Sequence, residues 1–508
     1  MMKKFITVLL ALVMSAAVFV GCSDPFKEEE ENTEGKVTIQ VGVLGTATEQ
    51  EAFRKYKNGF QEKYTNVVVQ QVQLPGGYST AMDNFVATGN FPDVVFTPGD
   101  QHAAYSSRGH FLDLRTFDEA DDTFSFDGIY PELIDTTHYN ETDEGIWFMP
   151  RDYNKVVTFV NKDMLALVPG ENGQMYAGYG SFEELKKAWN TETFYEVCAA
   201  VLKKIEANEE NPDAVTDAEK KAGLTKGTNV VDARYNWSPV YEAMIRHYGG
   251  KMIDTSNLAG DATEWSKVLS VDTPETVAAY RDLYKDLSKP GYIRQSLASG
   301  GASAFPNKKA AFWFTTRPSL GDVKAANATF TVEFLPFPYD YVGVGCSGYA
   351  ITKKAAERVS ENAEVKAGTS EKMTNADYAW EFVKYIASED GQNAFGELGM
   401  GVPSLMSMKE SGEWLKYGGK ELNHKAFVDE VEGQQTMAVN DIFCFPATAQ
   451  KTVSENSISI MTYVVKDGFW PDDLTVDAGN RTHYDKIYAK IDQYKNVMMT
   501  RIEGSLNV

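Results

Sequence analysis

Apolar and polar residues alternate with period two through Val37-Thr38-Ile39-Gln40-Val41-Gly42-Val43-Leu44, which predicts a strand. A helical pattern follows, with Phe53, Tyr56, Phe60 and Tyr64 recurring every three to four residues along one face. Residues 67–73 read as a second strand, 82–87 as part of a second helix, and Asp93-Val94-Val95-Phe96 as a third strand. This βαβαβ order predicts parallel pairing with right-handed crossovers. In such a layer a ligand sits at the carboxyl ends of the strands, here in loops 45–49 and 97–101.

Beyond this unit, Trp147 to Asn154 leads into a strand-like run at 155–160. Helical patterns cover 182–206, 241–248, 273–287 and 378–386, and strands are expected at 310–316 and 329–336. Residues 208–229 are charged and turn-rich, a surface excursion, and 422–490 reads as mainly helical or irregular. Alternating helix and strand signals without a repeat place the chain in the α/β class.

Composition narrows the function more than the fold. The chain has 508 residues, 43% hydrophobic and 24% charged, which excludes wholesale disorder and a multi-span membrane protein. A formal charge of −23 argues against nucleic acid as a partner, because phosphates are bound by basic side chains. Lys3 and Lys4, the apolar stretch 5–20 and the small residues before Cys22 form a secretory signal over 1–21. The stretch falls short of the ~20 residues that span a bilayer. Residues 22–35, with four consecutive glutamates at 28–31, read as an acidic solvated tether. Cys198, Cys346 and Cys444 show no Cys-x-x-Cys spacing, so no zinc or redox motif is present and no cofactor or metal is called for. Cys198 falls in a helix and reads as core, while a bridge between Cys346 and Cys444 is left open.

Two resemblances add to this. Phe19-Val20-Gly21-Cys22 resembles a bacterial lipobox, with Phe19 in place of the usual leucine, which implies that Cys22 is acylated and holds the protein at a membrane. The chain also resembles the family 1 extracellular solute-binding proteins, the sugar-capturing lipoproteins of ATP-binding-cassette (ABC) importers. The landmarks occur in family order: Ala87-Thr88-Gly89-Asn90-Phe91-Pro92-Asp93, Gly109-His110-Phe111-Leu112, Met149-Pro150, Asn161-Lys162-Asp163, Tyr248-Gly249-Gly250, Lys308-Lys309-Ala310-Ala311-Phe312, Leu335-Pro336-Phe337-Pro338, Gly348-Tyr349-Ala350-Ile351, Trp380 to Ile386, and Gly399-Met400-Gly401-Val402-Pro403. Stretches 168–180, 208–229 and 359–374 look like insertions, and correspondence thins after Pro403.

The resemblance implies a two-lobed α/β fold of the periplasmic-binding-protein type, with a hinge and an interlobe cleft. Lobe 1 would comprise 36–153 plus 348–400, and lobe 2 would comprise 154–347 plus 401–508. Crossings are expected near 151–154, 344–348 and 400–402. It further implies a monomer in the cell envelope that takes up a mono- or oligosaccharide, passes it to ABC permease subunits and performs no catalysis.

Sugars are held by aromatic faces and by carboxylate, amide and guanidinium groups. On position, the candidate ligand residues are Thr46 and Glu49 after strand one, Asp100 and Gln101 after strand three, Arg151 and Asp152 at the first crossing, and Trp237, Arg317 and Phe445 in lobe 2, with Phe443 beside the last. Each has a structural alternative: a helix cap or turn for Thr46, Glu49, Asp100 and Gln101, a mutual pair for Arg151 and Asp152, a salt bridge for Arg317, and packing for the aromatics. Trp313, inside an apolar run, is expected in the core.

Enzyme readings find little support. Acidic pairs such as Asp121-Asp122 and Asp472-Asp473 exist, but no nucleophile, zinc or phosphate-loop motif accompanies them. A surface glycan-binding lipoprotein without an importer, or a carbohydrate-active enzyme, is the alternative; a helical-repeat lipoprotein would lack the early βαβαβ unit.

Overall fold

The structure, a computed structural model, describes residues 33–139, 143–234, 237–258, 263–287, 295–296, 304–326, 329–416, 422–438, 441–465 and 469–506. The signal segment, Cys22 and most of the tether lie outside them. The strands are β1 (Val37–Leu44), β2 (Val67–Leu74), β3 (Val94–Pro98), β4 (Met149–Pro150), β5 (Asp152–Lys155), β6 (Val157–Asn161), β7 (Asn229–Asp232), β8 (Gln295–Ser296), β9 (Ala310–Thr315), β10 (Val332–Pro336), β11 (Tyr341–Gly345), β12 (Ser347–Ile351), β13 (Val402–Pro403) and β14 (Gln435–Ala438).

The first sheet has the order β2-β1-β3-β12-β4. β1 pairs in parallel with both β2 and β3, as the βαβαβ reading requires, and β12 then runs antiparallel to β3. On the helix Ala47–Lys63, Phe53, Tyr56 and Phe60 are buried, and Phe60 meets Phe382 of the helix Asn375–Ala387 edge to face at 5.2 Å. That second helix starts at a capping box in which Thr374 and Asp377 satisfy each other's backbone N–H groups.

The second sheet has the order β10-β6-β9-β7-β8, with β6 antiparallel to its neighbours and β7 parallel to β9. The expected strands at 310–316 and 329–336 are β9 and β10. Trp313 is buried there, stacked on Phe305 and edge-on to Phe159. Cys198 is buried in the helix Thr191–Glu210.

A third sheet has the order β13-β5-β11-β14. It gathers the three expected crossings side by side: β5 runs antiparallel to both β11 and β13. Gly343 of β11 is required by this packing, since a Cβ there would lie 2.4 Å from the carbonyl oxygen of Pro239. β14 is a short strand within the mainly helical or irregular stretch 422–490, and it pairs in parallel with β11. Helices Ala447–Val464 and Asp485–Leu506 complete that region and pack on each other. Cys346 is a buried free thiol, so it does not bridge to Cys444.

Candidate ligand cleft and hinge

In lobe 1 the loop after β3 carries Asp100 and Gln101 at exposed positions. The Gly99 N–H donates to the Cys346 carbonyl at 3.0 Å, tying this loop to the crossing between β11 and β12. Asp100 opens to solvent yet is ringed by protein, and that partial desolvation raises its carboxyl pKa above the usual value. Gln101 accepts from the Ser79 hydroxyl at 3.0 Å. Behind them His102 is buried, with Ser106 Oγ 2.7 Å from Nδ1 and the Thr136 carbonyl 3.1 Å from Nε2; burial lowers its pKa to about 3.

After β1, Thr46 is exposed and caps the helix Ala47–Lys63 by accepting from the Glu49 N–H. Glu49 faces inward. Its carboxylate accepts from Arg151 Nη1 at 2.7 Å and Nη2 at 3.0 Å, a two-pronged pair on a guanidinium that is 2% exposed. Arg151 Nη2 also donates to Ser347 Oγ at 2.7 Å, and its plane lies 4.4 Å from the Phe395 ring and 5.1 Å from Phe96. Asp152 accepts from the Ser347 N–H and hydroxyl at 2.6 and 2.8 Å. Glu49, Arg151 and Asp152, expected to contact ligand, are therefore engaged with one another and with Ser347 across the root of the first two crossings.

In lobe 2 the matching position is the carboxyl ends of β7 and β9. Trp237 is half-buried at the start of the helix Ser238–His247, which packs beside the hinge strand β11 with Pro239 against Gly343. One face of its indole is covered by the Arg234 guanidinium, 4.7 Å from the ring. Arg234 Nη1 donates to the buried Thr315 Oγ1 at 2.9 Å, and its backbone holds a left-handed φ of +46°. The reading of single residues did not single out Arg234; its place immediately after a strand end was the available signal.

Two lobe 2 candidates turn inward. Arg317 has no exposed surface: it bonds His424 Nδ1 at 3.0 Å and the Trp414 carbonyl, and lies over the Trp414 and Phe427 rings. The short turn Arg317–Ser319 after β9 carries the side chain into the core rather than toward the cleft. Phe445 is 2% exposed and packs on Trp265. Neither offers a ligand any surface in this conformation. The Phe443 side chain lies outside the described residues. A separate hollow of about 370 Å³, lined by Tyr64, Phe124, Lys384 and Tyr385, opens on lobe 1 where the first helix runs into β2, at the strands' amino side. It is remote from the loops just described.

Residues 55–420 match the family described as bacterial extracellular solute-binding protein. The chain belongs to that family. Solved structures with the same fold include the GacH receptor of Streptomyces glaucescens, studied unliganded and with acarbose, at 18% identity and a TM-score of 0.58, covering 91% of this chain and 99% of that one. The MalE domain of Bdellovibrio bacteriovorus bound to maltotriose matches at 14% identity and 0.58, covering 92% and 100%. UgpB of Mycobacterium tuberculosis, in complex with glycerophosphocholine, matches at 16% and 0.59, covering 91% and 98%. No curated protein matches the sequence. The family is one of solute-binding proteins, and among the described residues no helix is long and apolar enough to cross a membrane.

Proposed function

We propose that this solute-binding protein captures a carbohydrate between its lobes and delivers it intact to an ABC permease, held at the outer face of a membrane through acylated Cys22. The observation carrying this reading is the placement of the exposed Asp100 and Gln101 and the half-buried Arg234 and Trp237. Asp100 and Gln101 follow β3 of one sheet, Arg234 and Trp237 follow β7 of another, and the expected crossings are gathered in a third. The α/β rule puts ligands at such strand ends. Residues 36–153 plus 348–400 act as one lobe and 154–347 plus 401–508 as the other, and ligand contacts from both stabilise the closed form. Two of the structural relatives were solved with acarbose or maltotriose, which favours a sugar as the solute.

The test is a thermal-shift panel of mono- and oligosaccharides on the mature chain, followed by recovery of the ligand. A sugar at 100 times its Kd adds ~2.7 kcal/mol of stability. Stabilisation with the sugar recovered unchanged supports the reading. Cleavage products, or no stabilisation by any carbohydrate, contradict it.

A further inference from the structure

The Arg234 guanidinium is built into the cleft face of lobe 2 without an ionic partner. Among the described residues no carboxylate is paired with it, and its hydrogen bond there goes to the neutral hydroxyl of Thr315. Thr315 Oγ1 is itself fixed by Ser319 Oγ at 2.7 Å, and Trp237 braces the guanidinium from one side. A left-handed φ on a non-glycine residue is costly, and the surrounding structure holds it in place. Arg234 is half-buried, and among the described residues its remaining N–H donors have no protein partner.

Two acids, Asp232 and Asp322, are near enough to favour the charge on Arg234 without touching it. Lost hydration outweighs them, so the pKa of Arg234 falls below its ordinary value, and the positive charge is under-compensated. Asp232 is committed elsewhere, accepting from the Ala304 N–H at 2.9 Å. The helix Ser238–His247 also begins here with no side-chain cap, which adds positive potential to the same spot. A planar fork with open donors and too little negative charge around it fits an oxyanion.

We propose that the ligand is an acidic carbohydrate, whose carboxylate or phosphate oxygens are held by Arg234 with Trp237 as the brace. The proposal rests on the interlobe capture reading and specifies its substrate class. Asp100, on the other lobe, then accepts from sugar hydroxyls while Arg234 takes the anion. An oxyanion on a guanidinium forms charge-assisted hydrogen bonds, and an equal neutral sugar lacks them.

The test uses the mature chain with D-glucuronate, D-galacturonate, oligogalacturonides and glucose 6-phosphate against glucose, galactose and maltotriose, by calorimetry at low and high salt. An acidic sugar is expected to bind at least ~10-fold tighter than its neutral counterpart, with the advantage shrinking in high salt. Arg234→Gln should weaken the acidic ligand ~10- to 150-fold and the neutral ones less than ~3-fold. Arg234→Lys, which keeps the charge and loses the fork, should fall between. A preference for uronates names a carboxylate, and one for the sugar phosphate names a phosphate. Equal or tighter binding of neutral sugars, or equal losses for both classes in Arg234→Gln, overturns the proposal while leaving carbohydrate capture standing. Binding of neither class removes both.

Discussion

Arg151 is the most heavily committed side chain near the hinge, and removing it should be expensive. Arg151→Met keeps the bulk between Phe96 and Phe395 but leaves two carboxylates, Glu49 at 8% exposure and Asp152 at 2%, without their cation. Breaking one side of a buried pair costs ~3 to 5 kcal/mol, because the partner charge remains desolvated. At ~2 to 4 °C per kcal/mol for a unit of about 150 to 250 residues, this becomes a Tm decrease of about 6 to 20 °C. Replacing both partners removes the stranded charge at Glu49, so Glu49→Leu/Arg151→Met should be more stable than Arg151→Met alone. It should not regain full stability, since Asp152 keeps only Ser347 and Asn154 as donors. Urea and thermal denaturation of the four proteins, followed by circular dichroism, gives the cycle. Additive effects below ~1 kcal/mol each would refute a buried, coupled pair.

Replacing Cys22 with Ser should release a folded protein from the membrane fraction, and mass spectrometry of the mature N-terminus checks the site; unchanged fractionation would contradict lipidation. Trp237→Ala should weaken binding ~3- to 10-fold through loss of the brace on Arg234, with little change in apo Tm, whereas collapse of the apo protein would make Trp237 scaffold. Asp100→Asn should weaken binding ~10- to 100-fold, read by calorimetry, because it removes a charged acceptor. His102 is neutral when folded down to about pH 3 while the unfolded state takes up a proton near 6.5, so its contribution is fully present above 6.5 and is lost as the pH falls. The expected cost is ~2 kcal/mol at pH 5, and His102→Asn should flatten the Tm profile between pH 7 and 5; an unchanged profile would contradict it.

The parts of the fold legible in the sequence are those with local periodicity. Val37 to Leu44 alternates because one face is buried, and Phe53, Tyr56 and Phe60 mark a helix face for the same reason. Two-residue strands such as β4 and β13 carry no period, and Gln435–Ala438 becomes a strand only through pairing with β11, nearly a hundred positions earlier. The site was half legible. Strand ends suggested Asp100 and Gln101, and a loop before a helix suggested Trp237, all three on surface a solvent molecule can reach, but Arg317 at a strand end turns toward Trp414 and His424, which sit about a hundred residues on and leave no mark near it. Glu49 and Arg151 likewise meet across 102 positions. Arg234 was overshadowed by the more conspicuous tryptophan three residues later.

Capture between two lobes is tested most directly by small-angle X-ray scattering of the mature chain with and without the sugar that stabilises it most in the thermal panel. Closure on ligand should reduce the radius of gyration in a saturable way, with a midpoint equal to the calorimetric Kd, and Arg234→Gln should require correspondingly more sugar for the same change. A sugar that binds with the scattering profile unchanged at saturation would contradict capture by lobe closure.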